Sequence, residues 1–235
     1  MNDIIRKRKS IRKYDQTPLD YEVREMVKDQ LMSLKPLYPH IPIGISIVSK
    51  TKGMFGIKAP HYLVFQSEDM EGALENIGFI GQQMDLFFSA SGIGCCWLGA
   101  SKPKNGEAPG LPSVICMAYG KPAEPLHREL ADFKRKSLAE ISEGADERLE
   151  AARLAPSAMN AQNWFFVADN GKIHCYRKMS SSLLSLVYNK LHSIDIGIAL
   201  CHIAAESEDF TFAKEQGVPE RNGHVYMGTV GAGEA

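Results

Sequence analysis

The chain repeats itself, and this restricts its possible folds more than any other feature of the sequence. KRKSI at Lys7–Ile11 returns as KRKSL at Lys134–Leu138. NIGFIGQQM, starting at Asn76, is matched by DIGIALCHI starting at Asp195, 119 residues later, so that Gly78 falls on Gly197. The helix and strand leading up to Val48 match those leading up to Val167 at the same spacing of 119. The basic motif recurs at 127, so the second copy is eight residues shorter just after it, a gap that fits part of the loop-like YDQTPLDY. Two related halves are expected, 1–133 and 134–235, packed intimately as one globular unit.

Each half reads as basic motif, helix, strand, second strand and long apolar helix. In the first half these fall at about Tyr21–Leu34, Ile43–Ser49, Tyr62–Gln66 and Gly72–Ala90, followed by GIGCCWLG and a strand at Val114–Gly120. In the second they fall at about Asp146–Leu154, Phe165–Asp169, Lys172–Arg177 and Ile194–Glu206. Strands mixed with long helices, without regular βα alternation, predict an α+β fold, with mixed or antiparallel sheets flanked by helices.

The bulk properties exclude several functions. A net charge of −1 gives no global attraction to nucleic acid or to an acidic membrane surface, and no apolar run reaches the roughly 18–20 residues that span a bilayer. MNDIIRKRKS has no apolar signal region behind its basic residues, which predicts a cytoplasmic protein. The five cysteines form no CxxC pair and lie in apolar surroundings, so they read as small buried hydrophobes rather than as disulfides or metal ligands. No Ser–His–Asp order, carboxylate pair or HExxH helix is present. A chain with anion donors and amides but no acid, base or nucleophile points to a cofactor that carries the chemistry.

Three stretches could hold one. In RKRKSIRKY, Arg8, Ser10 and Arg12 alternate; in an extended chain they share a side, which suits a phosphate. LAPSAMNAQNWFFV places Asn160, Gln162 and Asn163 between an amphipathic helix that Pro156 cannot extend and an apolar strand. Those amides either satisfy the turn itself or line the edge of a flat polar ligand. In GIGCCWLGASKP, Gly92 or Gly94 ends the long helix, and Trp97, Leu98 and Gly99 follow as a short extended segment.

Together RKSIRKY (Arg8–Tyr14), APSAMNAQNWFFV (Ala155–Val167) and GIGCCWLG (Gly92–Gly99) resemble the FMN-dependent nitroreductase superfamily, with its RxSxR, APSxxNxQPWxF and GLGxxWxG segments. Asn163 stands where that family usually has Pro. The APS segment also follows the GIG segment instead of preceding it, an order that resembles the subgroup in which one chain imitates the usual homodimer. The resemblance implies a flavin between the halves. Arg8, Lys9, Ser10 and Arg12 would hold the phosphate and the pyrimidine edge. Pro156, Ser157, Ala158, Asn160 and Gln162 would line the ring, with Trp97, Leu98 and Gly99 near N5. Arg135, with Lys134 or Lys136, would supply a further basic pair at the phosphate. PLYPHI at Pro36–Ile41 answers to APSAMN without its amides, and nothing like GIGCCWLG follows Glu206, so one complete and one degenerate site are implied. The implied activity is ping-pong electron transfer from NADH or NADPH, through FMN, to nitroaromatic, quinone or flavin acceptors. The partner is a small-molecule acceptor, in a pocket shaped by Lys50–Ala59 and Lys178–Lys190. The unit would be a monomeric pseudo-dimer or a homodimer of it. The alternatives are another redox reaction on the same fold, or a binding protein that has lost FMN.

Overall fold

The computed structural model describes residues 2–53, 56–104, 108–180 and 185–231. Residues 54–55 and 181–184, which belong to the two expected acceptor loops, and 232–235 of the second half lie outside the described residues.

Helices α1 (Asn2–Ile5), α2 (Tyr21–Met32), α3 (Ala73–Ala90), α4 (Leu138–Ile141), α5 (Arg148–Leu154) and α6 (Ser185–Ala205) accompany two main sheets. The first joins β1 (Ile43–Val48), β3 (His61–Ser67), β6 (Ser113–Gly120) and β4 (Gly94–Leu98), in that order and all antiparallel. The second joins β7 (Ser142–Glu143), β8 (Trp164–Asp169), β9 (Lys172–Lys178), β11 (His224–Val230) and β10 (Phe212–Ala213). Without β7, which is parallel to β8, the second sheet repeats the order and direction of the first. A separate two-stranded antiparallel sheet pairs β2 (Thr51–Gly53) with β5 (Ser101–Pro103). The α+β reading holds. The periodicity placed α2, α3, β1, β3, β6, β8 and β9 within about two residues, but it missed β10 and β11 and began α6 too late.

The two long helices cross at the repeated glycines. A Cβ on Gly78 would lie 2.0 Å from the Ile194 carbonyl oxygen, and one on Gly197 would lie 1.9 Å from the Glu75 carbonyl oxygen. Ile194 follows Glu75 by the same 119 residues, so the contact is reciprocal. Only a missing side chain lets the backbones come this close. Around the crossing, Ile77, Ile80, Met84, Ile194, Ile198 and Cys201 lie in the main core cluster. Each large apolar side chain buried there contributes about 1.5–3 kcal/mol.

The repeat extends to polar anchors. The buried Asn76 accepts at Oδ1 from the Leu37 and Tyr38 N–H groups (2.8 and 3.2 Å) and donates from Nδ2 to the Tyr38 carbonyl. Asp195, which answers to Asn76, accepts at Oδ1 from the Ala158 N–H at 2.9 Å. PLYPHI and APSAMN are therefore held on their helices by the same device.

Candidate functional site

The first basic motif runs as an extended strip pinned on both sides. Ile11 N–H donates to the Cys95 carbonyl, Arg8 forms a β-bridge with His127, and Arg128 N–H donates to the Lys7 carbonyl. Ile11 fits against Gly94, where a Cβ would meet its Cγ2 at 2.8 Å. The three alternating side chains do not stay level. Arg12 remains exposed, with Nη1 on the Ser10 carbonyl, and Lys9 and Ser10 are half-buried. Arg8 turns inward and is fully buried. Its Nε stands 2.6 Å from Asp85 Oδ1, its Nη2 reaches Asp85 Oδ2 at 3.2 Å and Ser10 Oγ at 3.3 Å, and its Nη1 has no partner.

Asp85 is the centre of a buried network. Gln82 Nε2 donates to its Oδ1, and the Cys95 thiol lies 3.4 Å from its Oδ2. Burial, reinforced by Asp85, pushes that thiol well above its ordinary range. Gln82 also accepts from Trp97 Nε1 and approaches His202 Nε2 at 3.0 Å, while His202 Nδ1 stands 2.9 Å from the Ala151 carbonyl. These contacts assign His202 as the neutral tautomer, donating from Nδ1 and accepting at Nε2. Burial, with help from Arg8 and Arg135, depresses it to about 3. In the unfolded chain it titrates near 6.5. Its contribution to stability is therefore complete above that value and falls away as pH drops towards 3. This group alone takes up to about 1.4 kcal/mol of stability per pH unit as pH falls below 6.5, and the difference in urea unfolding between the wild type and His202→Gln, followed from pH 7 to 5, should show that component.

The second basic motif does not mirror the first. Ser137 becomes the cap of α4, its hydroxyl and N–H both donating to Glu140 Oε2 at 2.8 Å. Arg135 turns towards the amide loop: Nη1 donates to Asn160 Oδ1, and Nη2 donates to the Leu154 carbonyl at 3.3 Å. Its Nε is buried without a partner. Burial first, then the charges of Arg8, Arg128 and Arg153, pull Arg135 down to about 9. Arg128 Nε donates to the Arg8 carbonyl, and the Arg128 and Arg135 guanidiniums stand over the Phe133 ring, 4.0 and 5.6 Å from its centroid. Among the described residues, no carboxylate makes an ion pair with Arg128 or Arg135.

The amide loop is bound to the same motif. Asn160 Nδ2 donates to the Lys134 carbonyl at 2.7 Å. Gln162 is buried, accepting from the Lys136 N–H and donating to the Asn160 carbonyl. Lys136 Nζ donates to the Ala161 and Gln162 carbonyls, and Ser157 Oγ accepts from the Gln162 N–H. Asn163 faces His192 at 2.8 Å. The turn reading of these amides thus accounts for most of their side-chain bonds. Pro156 is buried, Ser157 and Ala158 are half-buried, and Met159 and Asn160 are exposed. Three residues are left-handed here without being glycine: Met159 (φ 52°), Asn160 (57°) and Gln162 (50°). Such a cluster costs about 1 kcal/mol or more per residue and collects where a ligand is handled.

On the GIG side, Trp97 stacks on Phe65 at 5.5 Å and packs over Gly81. Leu98 is buried opposite Cys116, and Gly99 is exposed beside Leu191 of α6. Arg128, Asp85 and Asp195 escaped the sequence reading. Asp85 and Asp195 carried a signal, as acids inside otherwise apolar helices; Arg128 carried none.

A family profile described as "Putative TM nitroreductase" matches residues 1–207. No curated protein matches the chain. A "putative nitroreductase" from Thermotoga maritima MSB8 superposes with a TM-score of 0.68 at 20% identity, covering 97% of this chain and 91% of its own. A "Putative NADH dehydrogenase/NAD(P)H nitroreductase" from Bacteroides thetaiotaomicron gives 0.46 at 16% identity, over 57% of this chain and 92% of its own. An "FMN-dependent Nitroreductase" from Clostridium difficile R20291 gives 0.41 at 16% identity, over 57% and 95%. The Thermotoga likeness shows the fold over nearly the whole chain, and the profile, matched over most of it, shows that this protein belongs to the TM nitroreductase family.

Proposed function

We propose that this chain is an FMN-dependent oxidoreductase with one flavin site, a single-chain counterpart of a two-subunit nitroreductase, that passes electrons from NADH or NADPH to nitroaromatic, quinone or flavin acceptors. The observation that carries this reading is the gathering of both KRKS motifs on one side. Arg135, the repeat of Arg8, lies close enough to feel the charges of Arg8 and Arg128, and it leaves a buried Nε unbonded. A group of guanidiniums short of counter-charge fits a dianionic phosphate, which would take the orphaned donors in charge-assisted bonds.

At the repeat-related place Ala204 stands for Asp85. There a cleft of about 410 Å³, lined by Lys35, Pro36, Leu37, Phe79, Ala204 and Phe210, holds no arginine. This supports one site rather than two.

Bound FMN would supply hydride chemistry without a protein acid or base. Ser10, Arg12, Arg128 and Arg135 would hold the phosphate, with Lys9 beside them. Asp85 fixes Arg8 so that Nη2 steadies the Ser10 hydroxyl. Pro156, Ser157, Ala158 and Asn160 would border the ring from the second half, with Gly99 opposite, while Gln162 and Lys136 brace the loop from behind. His202, locked neutral with its Nδ1–H on the Ala151 carbonyl, supports the fold rather than proton transfer. The unpaired thiols, all buried, fit a cytoplasmic setting.

Absorbance of the purified protein and FMN titration test this directly. One FMN per chain is expected. Arg135→Ala should weaken it by about 10- to 100-fold, the worth of a charge-assisted bond. Absence of FMN binding would overturn the reading, and two per chain would overturn the single site.

A further inference from the structure

Asp195 has a buried carboxylate oxygen that nothing satisfies. The side chain is 3% exposed, Oδ1 takes the Ala158 N–H, and Oδ2 has no partner. The other half shows how this place is completed. At Asn76 the second side-chain atom is a donor, and it bonds the Tyr38 carbonyl. Tyr38 gives Asn76 its N–H as well, and its carbonyl also takes the Ile41 N–H; the residue placed in this way at Asp195 is Ala158, whose N–H goes to Oδ1 and whose carbonyl takes the Ala161 N–H. We propose that Asp195 is carried as the neutral acid, its Oδ2–H donating to the Ala158 carbonyl, and so acts as the positioning residue that locks the loop Pro156–Gln162 in its left-handed course.

An ionised carboxylate would leave a charge inside the core with one hydrogen bond, the arrangement that proteins avoid most strongly. The neutral acid supplies the donor that the amide supplies at Asn76. The charged and titratable groups on the elements packed round Asp195 are Glu75 and Asp85 on α3, Arg148, Glu150 and Arg153 on α5, Asp169 on β8, Lys172, His174, Cys175, Tyr176, Arg177 and Lys178 on β9, and Tyr188, Lys190, His192, Cys201 and His202 on α6 itself. Arg135 and Lys136 stand behind the loop. None of them makes an ion pair with Asp195 among the described residues, and its titration answers only to burial, which raises it to about 8, and to the Ala158 N–H, which opposes the rise. The stability that the neutral acid contributes is complete below the unfolded value near 4 and is lost as pH rises through about 8.

The test compares the wild type with Asp195→Asn and Asp195→Ala, all free of flavin. Asn keeps both the acceptor and the donor. Its urea midpoint should come nearest to that of the wild type near pH 4 and exceed it increasingly up to pH 8–9. Ala should lie below both at every pH. The Asp195 carboxyl carbon, followed by NMR, should titrate several units above ordinary aspartates. Titration near 4, or an Asn variant as weak as Ala at pH 5, would overturn the proposal. A second arm rests on the flavin reading: wild-type FMN affinity should fall several-fold between pH 6.5 and 9 and stay constant in Asp195→Asn. If the flavin-free arm behaves as expected and no flavin binds at all, the functional reading fails and the locked loop stands. If flavin binds equally at both pH values in the wild type, the positioning role fails.

Discussion

Replacing Asp85 with alanine is expected to cost about 3–5 kcal/mol of stability, the penalty for leaving a buried charge without its partner. Arg8 is fully buried, and among the described residues Asp85 is its only counter-charge. The same substitution removes an acceptor from Gln82, which links α3 to His202 of α6. The loss should therefore appear as one lowered transition for the whole chain, measured by urea or thermal unfolding. Removing both charges, with Arg8→Met and Asp85→Leu together, should recover most of that loss, because an apolar pair of similar bulk avoids desolvating either ion. FMN binding should not recover with it, since Arg8 no longer steadies Ser10. A double variant that is as unstable as Asp85→Ala would show that the network, rather than the charge, holds this region. A double variant that binds flavin normally would remove Arg8 from the phosphate site.

The second large effect is expected at the helix crossing. Gly78→Ala and Gly197→Ala each place a methyl about 2 Å from a backbone carbonyl oxygen of the opposite helix. A carbonyl cannot swing aside as a side-chain tip can, so the helices must part. Overpacking of this kind costs about 1–3 kcal/mol, and the rigid obstacle places both variants at or above the upper end. For a chain of this size that lowers Tm by roughly 6–12 °C. Because the contact is reciprocal, the two variants should be equally damaging. A large difference between them in thermal unfolding would contradict the symmetric crossing.

The sequence was legible where a residue's role depends on spacing alone. The offset of 119 put Gly78 on Gly197, and the two do meet across the crossing. Apolar periodicity found most of the helices and strands, because one buried face imposes it on a chain. It failed at HVYMGTV, where glycine interrupts the alternation and the register shifts between Tyr226 and Gly228. It also could not show which way a long cation would turn. Arg8 and Arg135 occupy the same place in KRKS, yet one finds a carboxylate on its own long helix and the other finds Ala204 in that place and turns to Asn160. That choice is made by residues far away in sequence. The amides of the loop were ambiguous for a related reason. The same donors and acceptors that could meet a ligand also close the turn, and only the Lys134–Lys136 segment, brought alongside by folding, shows how many are already engaged.

The crossing of α3 and α6 lies within one polypeptide, and this changes the kind of equilibrium that governs it. A contact between separate subunits obeys mass action and weakens as protein is diluted. Here the partner helix is tethered at an effective concentration that dilution does not alter. The contribution of this crossing to stability should therefore be independent of protein concentration, even at nanomolar levels. The tether also frees each copy from its twin. In a symmetric pair of chains a substitution is made twice, once on each side of the axis. In this chain Asn76 and Asp195, or Asp85 and Ala204, can differ, and one side can be tuned while the other is left to pack.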